Sequence, residues 1–171
     1  MEQHLFKSGL VQIVVFFLIS VLVLQITFLV VKQFIIKKYQ IMEYNTAFSI
    51  IYASFVLSMF YQMTSLIAPV TSTLKLLDDL SGVRYLIESA KHISVLVLVA
   101  MILSFTVCFL SLILSKRFHK GVKLFDEIKE NKVGISIMIA IVPIVFSLLV
   151  KDSFQLIFDS FVPYPEMPNI F

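Results

Sequence analysis

Ser54, Ser58, Tyr61, Gln62 and Ser65 interrupt a stretch that is otherwise apolar. At 3.6 residues per turn they fall within about 100° of one another and form one stripe along a helix. Asn45, Ser49 and Tyr52 cluster on the opposite side. In hydrocarbon such a stripe can do two things. It can line a pore or polar cavity, or it can make a seam where small residues bring helices close and hydroxyls bond across the gap. The residue types favour the seam, within one subunit or between subunits.

The other candidates for chemistry do not converge. His4, His92 and His119 sit at or beyond the ends of apolar runs, far apart in sequence. Metal binding or acid–base work needs ligands at spacings like those of a helical H-E-x-x-H. Neither a G-x-x-x-x-G-K-[ST] run nor a G-x-S-x-G elbow is present. Asp78 and Asp79 are paired carboxylates, but neighbours on a helix do not face one ligand, so the pair reads as a solvated face. The single cysteine, Cys108, can form neither an intrachain disulfide nor a cysteine metal site and reads as a small apolar packing residue. No catalytic residue, cofactor site or metal site is expected, and the chain is expected not to be an enzyme.

These side chains need elements to hold them, and the chain supplies apolar runs. Of its 171 residues, 59% are hydrophobic and 15% charged, where a soluble domain averages about a quarter charged. The mean hydropathy is +0.97. Such a chain has too little polar surface to cover a water-facing globule, and the bilayer is the solvent that suits it. Four runs, at about residues 9–31, 46–69, 93–115 and 133–150, are suited to crossing roughly 30 Å of hydrocarbon as helices. The last is the shortest, and Pro143 inside it removes a backbone hydrogen bond and should kink it. None alternates with period two over about ten residues, which excludes a membrane barrel. The expected fold class is all-α: an integral membrane four-helix bundle in a single domain. All four cores lack Asp, Glu, Lys and Arg. A charge buried in a membrane persists only for a functional reason, so its absence disfavours an ion- or proton-coupled pump.

Charge sets the orientation. Lys32, Lys37 and Lys38 follow the first run, and Lys116, Arg117, Lys120, Lys123, Lys129 and Lys132 lie between the third and fourth. The opposite side carries Lys7, Lys75, Arg84, Lys91 and Lys151, mixed with most of the acids. The positive-inside rule places both basic loops in the cytoplasm and both termini outside, in a bacterial inner membrane. The first run is too long for a removable signal and has no small-residue cleavage site after it, so it is expected to stay as a span. Outside, residues 71–91 and 151–161 have amphipathic helical spacing. Each is either a helix lying on the membrane surface or an extension of the neighbouring span. The basic +3 balance follows from topology, and no direct nucleic-acid binding is expected.

Sliding the chain on itself by 86 residues superposes the two halves. Lys37 then meets Lys123, Asn45 meets Asn131, Ile51 meets Ile137 and Phe60 meets Phe146. The Asn pair is the stronger signal, because each Asn ends a basic loop and could cap the first turn of the span it opens. Repeat units of about 1–85 and 86–171 would be parallel, related by an axis along the membrane normal. This layout, with Asp126-Glu127-Ile128 through Asn131-Lys132-Val133 and the weaker Ile41-Met42-Glu43-Tyr44-Asn45, resembles the small duplicated four-span bacterial proteins of unknown function typified by the YjfL-like family. That family's Gly- and Ala-rich continuation is replaced here by Gly134-Ile135-Ser136-Ile137-Met138. In size and span count alone, the chain also resembles the membrane subunit (KwaA) of the Kiwa anti-phage defence system, which would imply work in a defence complex.

Two functions fit. The first is a membrane subunit that self-associates, contacts membrane lipids, and anchors or senses for a soluble cytoplasmic protein. Its contact would be the basic loop of Lys116, Arg117, Lys120, Lys123, Lys129 and Lys132, where each basic residue near anionic lipid also contributes about 1 kcal/mol. The second is a small homo-oligomeric channel or pore lined by the stripe of the second span.

Overall fold

A computed structural model describes residues 2–41, 45–77, 82–119 and 123–163, with side chains from Gly9 onward. Asp78, Asp79, Leu80 and Lys120, and the side chain of His4, lie outside the described residues. All regular structure described is helical. α1 (Glu2–Val31) passes through a π-helical turn (Lys32–Ile36) into a last turn, α2 (Lys37–Tyr39). α3 (Thr46–Met63) continues through a 3₁₀ turn (Thr64–Leu66) into α4 (Ile67–Leu76). α5 (Gly82–Phe118) is followed by a short α6 (Leu124–Lys129) and by α7 (Val133–Asp159). Four rods result, each long and apolar enough to cross a membrane: Gly9–Tyr39, Thr46–Leu76, Gly82–Phe118 and Val133–Asp159.

The rods run past the hydrocarbon-length limits that the charge pattern suggests. Lysine is expensive in hydrocarbon but a good helix former, so a helix need not end where the lipid does. Lys32, Lys37 and Lys38 therefore sit on the end of the first rod and not in a loop. The outer segments likewise lengthen their spans: α4 reaches Leu76, α5 begins at Gly82, and α7 runs to Asp159. The segment between spans three and four does not simply extend them, because α6 stands apart as its own short helix. It docks through Leu124 and Ile128, which are both buried.

Local chemistry explains the breaks. Gln40 takes a left-handed φ of 52° at the end of α2, and Asn131 takes 61° between α6 and α7. Pro69 lies in the first turn of α4, where its ring crowds the Ser65 carbonyl four residues back and offers no N–H. The chain answers with the 3₁₀ turn at Thr64–Leu66. In the π-helical turn the Lys37 amide reaches the Lys32 carbonyl five residues back. The consecutive Ile35 and Ile36 are both buried there. α7 passes through Pro143 as one continuous helix.

The centre of the bundle is the pair α3 and α7. Asn45 lies beside the end of α6 at one end of this pair, and Ser65 Oγ donates to the Lys151 carbonyl (3.0 Å) at the other. Ser65 and Lys151 are 86 residues apart. The two helices therefore run parallel and in register at the same offset that superposes the halves of the sequence. α5 packs on both, and α4 lies against α5 and α7. α1 touches the rest sparingly, chiefly α3, where Thr27 Oγ1 lies 3.2 Å from Met59 Sδ.

Candidate functional site

Two features of the bundle place polar chemistry: the seam between α3 and α7, and the junction at their basic end. In the seam, Ser54, Ser58, Gln62 and Ser65 are buried against helices of the same chain. Gln62 Nε2 donates to Ser147 Oγ (2.7 Å), and Ser147 Oγ donates in turn to the Pro143 carbonyl (2.7 Å). Ser54 Oγ donates to the Ile51 carbonyl of its own helix. Ser58 Oγ and Gln62 Oε1, and Ser104 Oγ on α5, are buried and have no hydrogen-bond partner among the described residues. Tyr61 does not share the burial of the other four. It faces outward at 36% exposure, with Lys151 Nζ 5.0 Å from its ring centroid.

At the basic end the two asparagines act as one unit. Asn45 Oδ1 accepts from the Phe48 amide (3.1 Å) and caps α3, as its sequence position suggests. Asn131 departs from that symmetry. Its Oδ1 accepts from the Ala47 amide (2.9 Å), so it also serves the first turn of α3, while α7 starts without a side-chain cap. Asn131 has the left-handed backbone of a turn, which aims its side chain across to α3 and away from its own helix. Asn45 Nδ2 completes the junction by donating to the Ile128 carbonyl at the end of α6 (2.7 Å). Two donors of α3, otherwise left open at the helix end, are satisfied together, and the Ile128 carbonyl takes this donor beside the Asn131 amide (3.0 Å).

Around this junction Lys116, Arg117, Lys123 and Lys129 are exposed and form no ion pair with the described residues. Lys132 differs. Its ammonium contacts Glu127 and reaches Glu130 at 3.0 Å. Hydrogen bonds that it donates to the Glu127 and then the Glu130 carboxylate raise its pKa above the ordinary lysine value. Among the described residues no three His, Cys, Asp or Glu side chains gather as metal ligands. His119 Nδ1 lies 2.9 Å from the Ser115 carbonyl, closing off the end of α5.

The family described as Domain of Unknown Function (DUF350) matches residues 5–154, from the first long helix into the last. The chain belongs to this family. No curated protein and no solved structure matches it. In this DUF350 chain the seam is wider than the second span alone suggests. α5 turns Ala100, Ser104, Cys108, Ser111 and Ser115 inward, and α7 turns Ser136, Ala140, Pro143 and Ser147 inward. The signal was present as small residues every three or four positions, the pattern that lets membrane helices approach closely. Ser111 and Ser115 donate to carbonyls one turn back (2.7 and 2.8 Å), which satisfies their hydroxyls without a neighbour.

Proposed function

We propose that this chain is a non-enzymatic, multi-pass subunit of the bacterial inner membrane with both termini outside. It self-associates, and it anchors or senses for a soluble cytoplasmic protein through its basic end. The observation that carries this reading is the set of exposed cations at one end of the bundle. Lys116 and Arg117 close α5, and Lys123 and Lys129 bracket α6, all without acid partners among the described residues. The asparagine junction holds α6 against α3, so these charges are presented on a fixed platform. Such a platform suits an acidic protein face, where complementary charge speeds encounter and sets register. Self-association is supported by α1, whose long apolar face finds little of its own chain to pack against. The setting we propose, a defence-type complex, rests on the layout shared with the Kiwa membrane subunit.

The polar stripe supports packing as its role, since Ser54, Ser58, Gln62 and Ser65 are turned toward helices of the same chain. The competing reading, a pore lined by the second span, makes a different prediction. Purified protein in liposomes should pass no ions on the anchor reading. Ion current abolished by Ser58→Leu or Gln62→Leu would establish the pore instead. The partner is tested by quantitative co-purification from native membranes. One soluble protein should be enriched with the native chain, lost from Lys123→Glu/Lys129→Glu, and kept by Lys75→Glu at the opposite end. Equal retention by all three would overturn the docking role.

A further inference from the structure

Between α1 and α5 runs a groove that the seam does not use and that has Lys116 in common with the partner platform. Its larger cavity, of about 640 Å³, is walled by apolar side chains that include Leu22, Ile26, Met101 and Phe105. One turn of α5 closer to the basic end, Phe34 and Phe109 meet edge to face, with centroids 5.9 Å apart. There a second cavity of about 240 Å³ opens, walled in part by Lys38, Tyr39, Lys116 and Phe125. The rings of Tyr39 and Phe125 stack with centroids 3.6 Å apart. Lys38 Nζ lies 5.7 Å from the Tyr39 centroid, and Lys116 Nζ lies 5.7 Å from that of Phe125. Two ammonium groups from two helices thus flank one aromatic stack. Among the described residues no carboxylate lines the cavity, and neither lysine has an ion pair.

We propose that this groove binds one anionic diacyl phospholipid, with its phosphate between Lys38 and Lys116 and its acyl chains along the α1–α5 cleft. The dimensions agree. Lys38 and Ile26 are twelve residues apart, which is about 18 Å of helix, close to the roughly 15 Å of hydrocarbon in one leaflet. A headgroup at the lysines therefore lays its chains past Phe34 and Phe109 toward Ile26 and Phe105. Charge selects the occupant. A second copy of this chain would bring a span whose core holds no acid, leaving both ammonium groups unmatched. A free phosphate would match the lysines but leave the larger apolar cavity without an occupant. The site requires no soluble partner, so it stands or falls apart from the docking role.

The test is native mass spectrometry of the delipidated full-length chain, titrated separately with phosphatidylglycerol, phosphatidylcholine and inorganic phosphate. One phosphatidylglycerol per chain should bind, with phosphatidylcholine much weaker. At about 1 kcal/mol per lysine, Lys38→Gln/Lys116→Gln should weaken phosphatidylglycerol about thirtyfold. Lys123→Gln/Lys129→Gln, outside the cavity, should leave it within about twofold. Ile26→Trp, which fills the apolar cavity and spares both lysines, should also weaken it. Circular dichroism and melting in detergent, unchanged across the variants, keep a folding defect from imitating these losses. Equal binding of the two lipids, equal losses from the two lysine pairs, or inorganic phosphate binding as tightly as lipid would each overturn the proposal.

Discussion

Spans one and three align when the chain is slid on itself by 86 residues, and their hydropathies are nearly equal, yet they pack very differently. In an 18-residue apolar stretch of each, 11% of the first is buried inside the chain against 33% of the third. The residues that decide this are at aligned positions. Ala100, Ser104, Cys108, Ser111 and Ser115 of α5 face the bundle. At the same places α1 carries Val14, Leu18, Leu22, Gln25 and Leu29, and all five are exposed. Lipid tails are as apolar as leucine, so a large apolar side chain gains little by leaving lipid for a protein neighbour. A small one lets two backbones close up and gather van der Waals contact. Within a membrane, size more than hydropathy separates the helix that packs from the helix that meets lipid.

The largest test of this contrast is to enlarge the packed face. Ala100→Phe should force α5 off α3 and α7 and destabilise the fold by about 1–3 kcal/mol or more, read as unfolding in detergent or by steric trapping. The aligned Val14→Phe on α1 should change stability by no more than about 0.5 kcal/mol. Similar losses at both positions would break the comparison.

Next in size is the junction that the first half of the chain shares with the second. Asn45→Ala removes the α3 cap and the bond to the Ile128 carbonyl, and should cost about 1–2 kcal/mol. Asn131→Gly keeps the left-handed turn and loses only the bond to the Ala47 amide, for about 1 kcal/mol or less. Hydrogen exchange should rise at Phe48 in the first variant and at Ala47 in the second. If exchange rises instead at the start of α7, then Asn131 caps its own helix after all.

Gln62→Leu should have a smaller effect, about 0.6 kcal/mol or less. Polar contacts between membrane helices average about that much, and the change also removes a buried oxygen that has no partner among the described residues. A loss of several kcal/mol would mean that Gln62 Oε1 is held by something essential.

The smallest effect concerns Lys132. Its pKa is raised in the folded chain, so its contribution to stability is complete below the ordinary lysine value of 10.5 and fades as pH climbs through the higher folded value. Local exchange protection around Asn131 and Lys132 should therefore be flat through neutral pH and fall only in strong alkali. Lys132→Gln should abolish that alkaline step, as seen by exchange or by NMR.

The sequence alone determined that the chain crosses a membrane with four charge-free helical cores, that the basic residues gather at one end, and that Asn45 opens a helix. These follow from local chemistry: transfer out of water, the helical period, and a side chain that bonds its own backbone. The stripe of Ser54, Ser58, Gln62 and Ser65 was legible as one face, and Tyr61 was misplaced on it because a five-residue arc is wider than one contact. What the face meets was not legible. Only the tertiary structure packed α3 directly against α7, sent Asn131 across to the neighbouring helix, and left α1 against the groove carrying Lys38. Those outcomes depend on how closely particular backbones can approach, a property of two surfaces together that one strand of residues, read in order, does not contain.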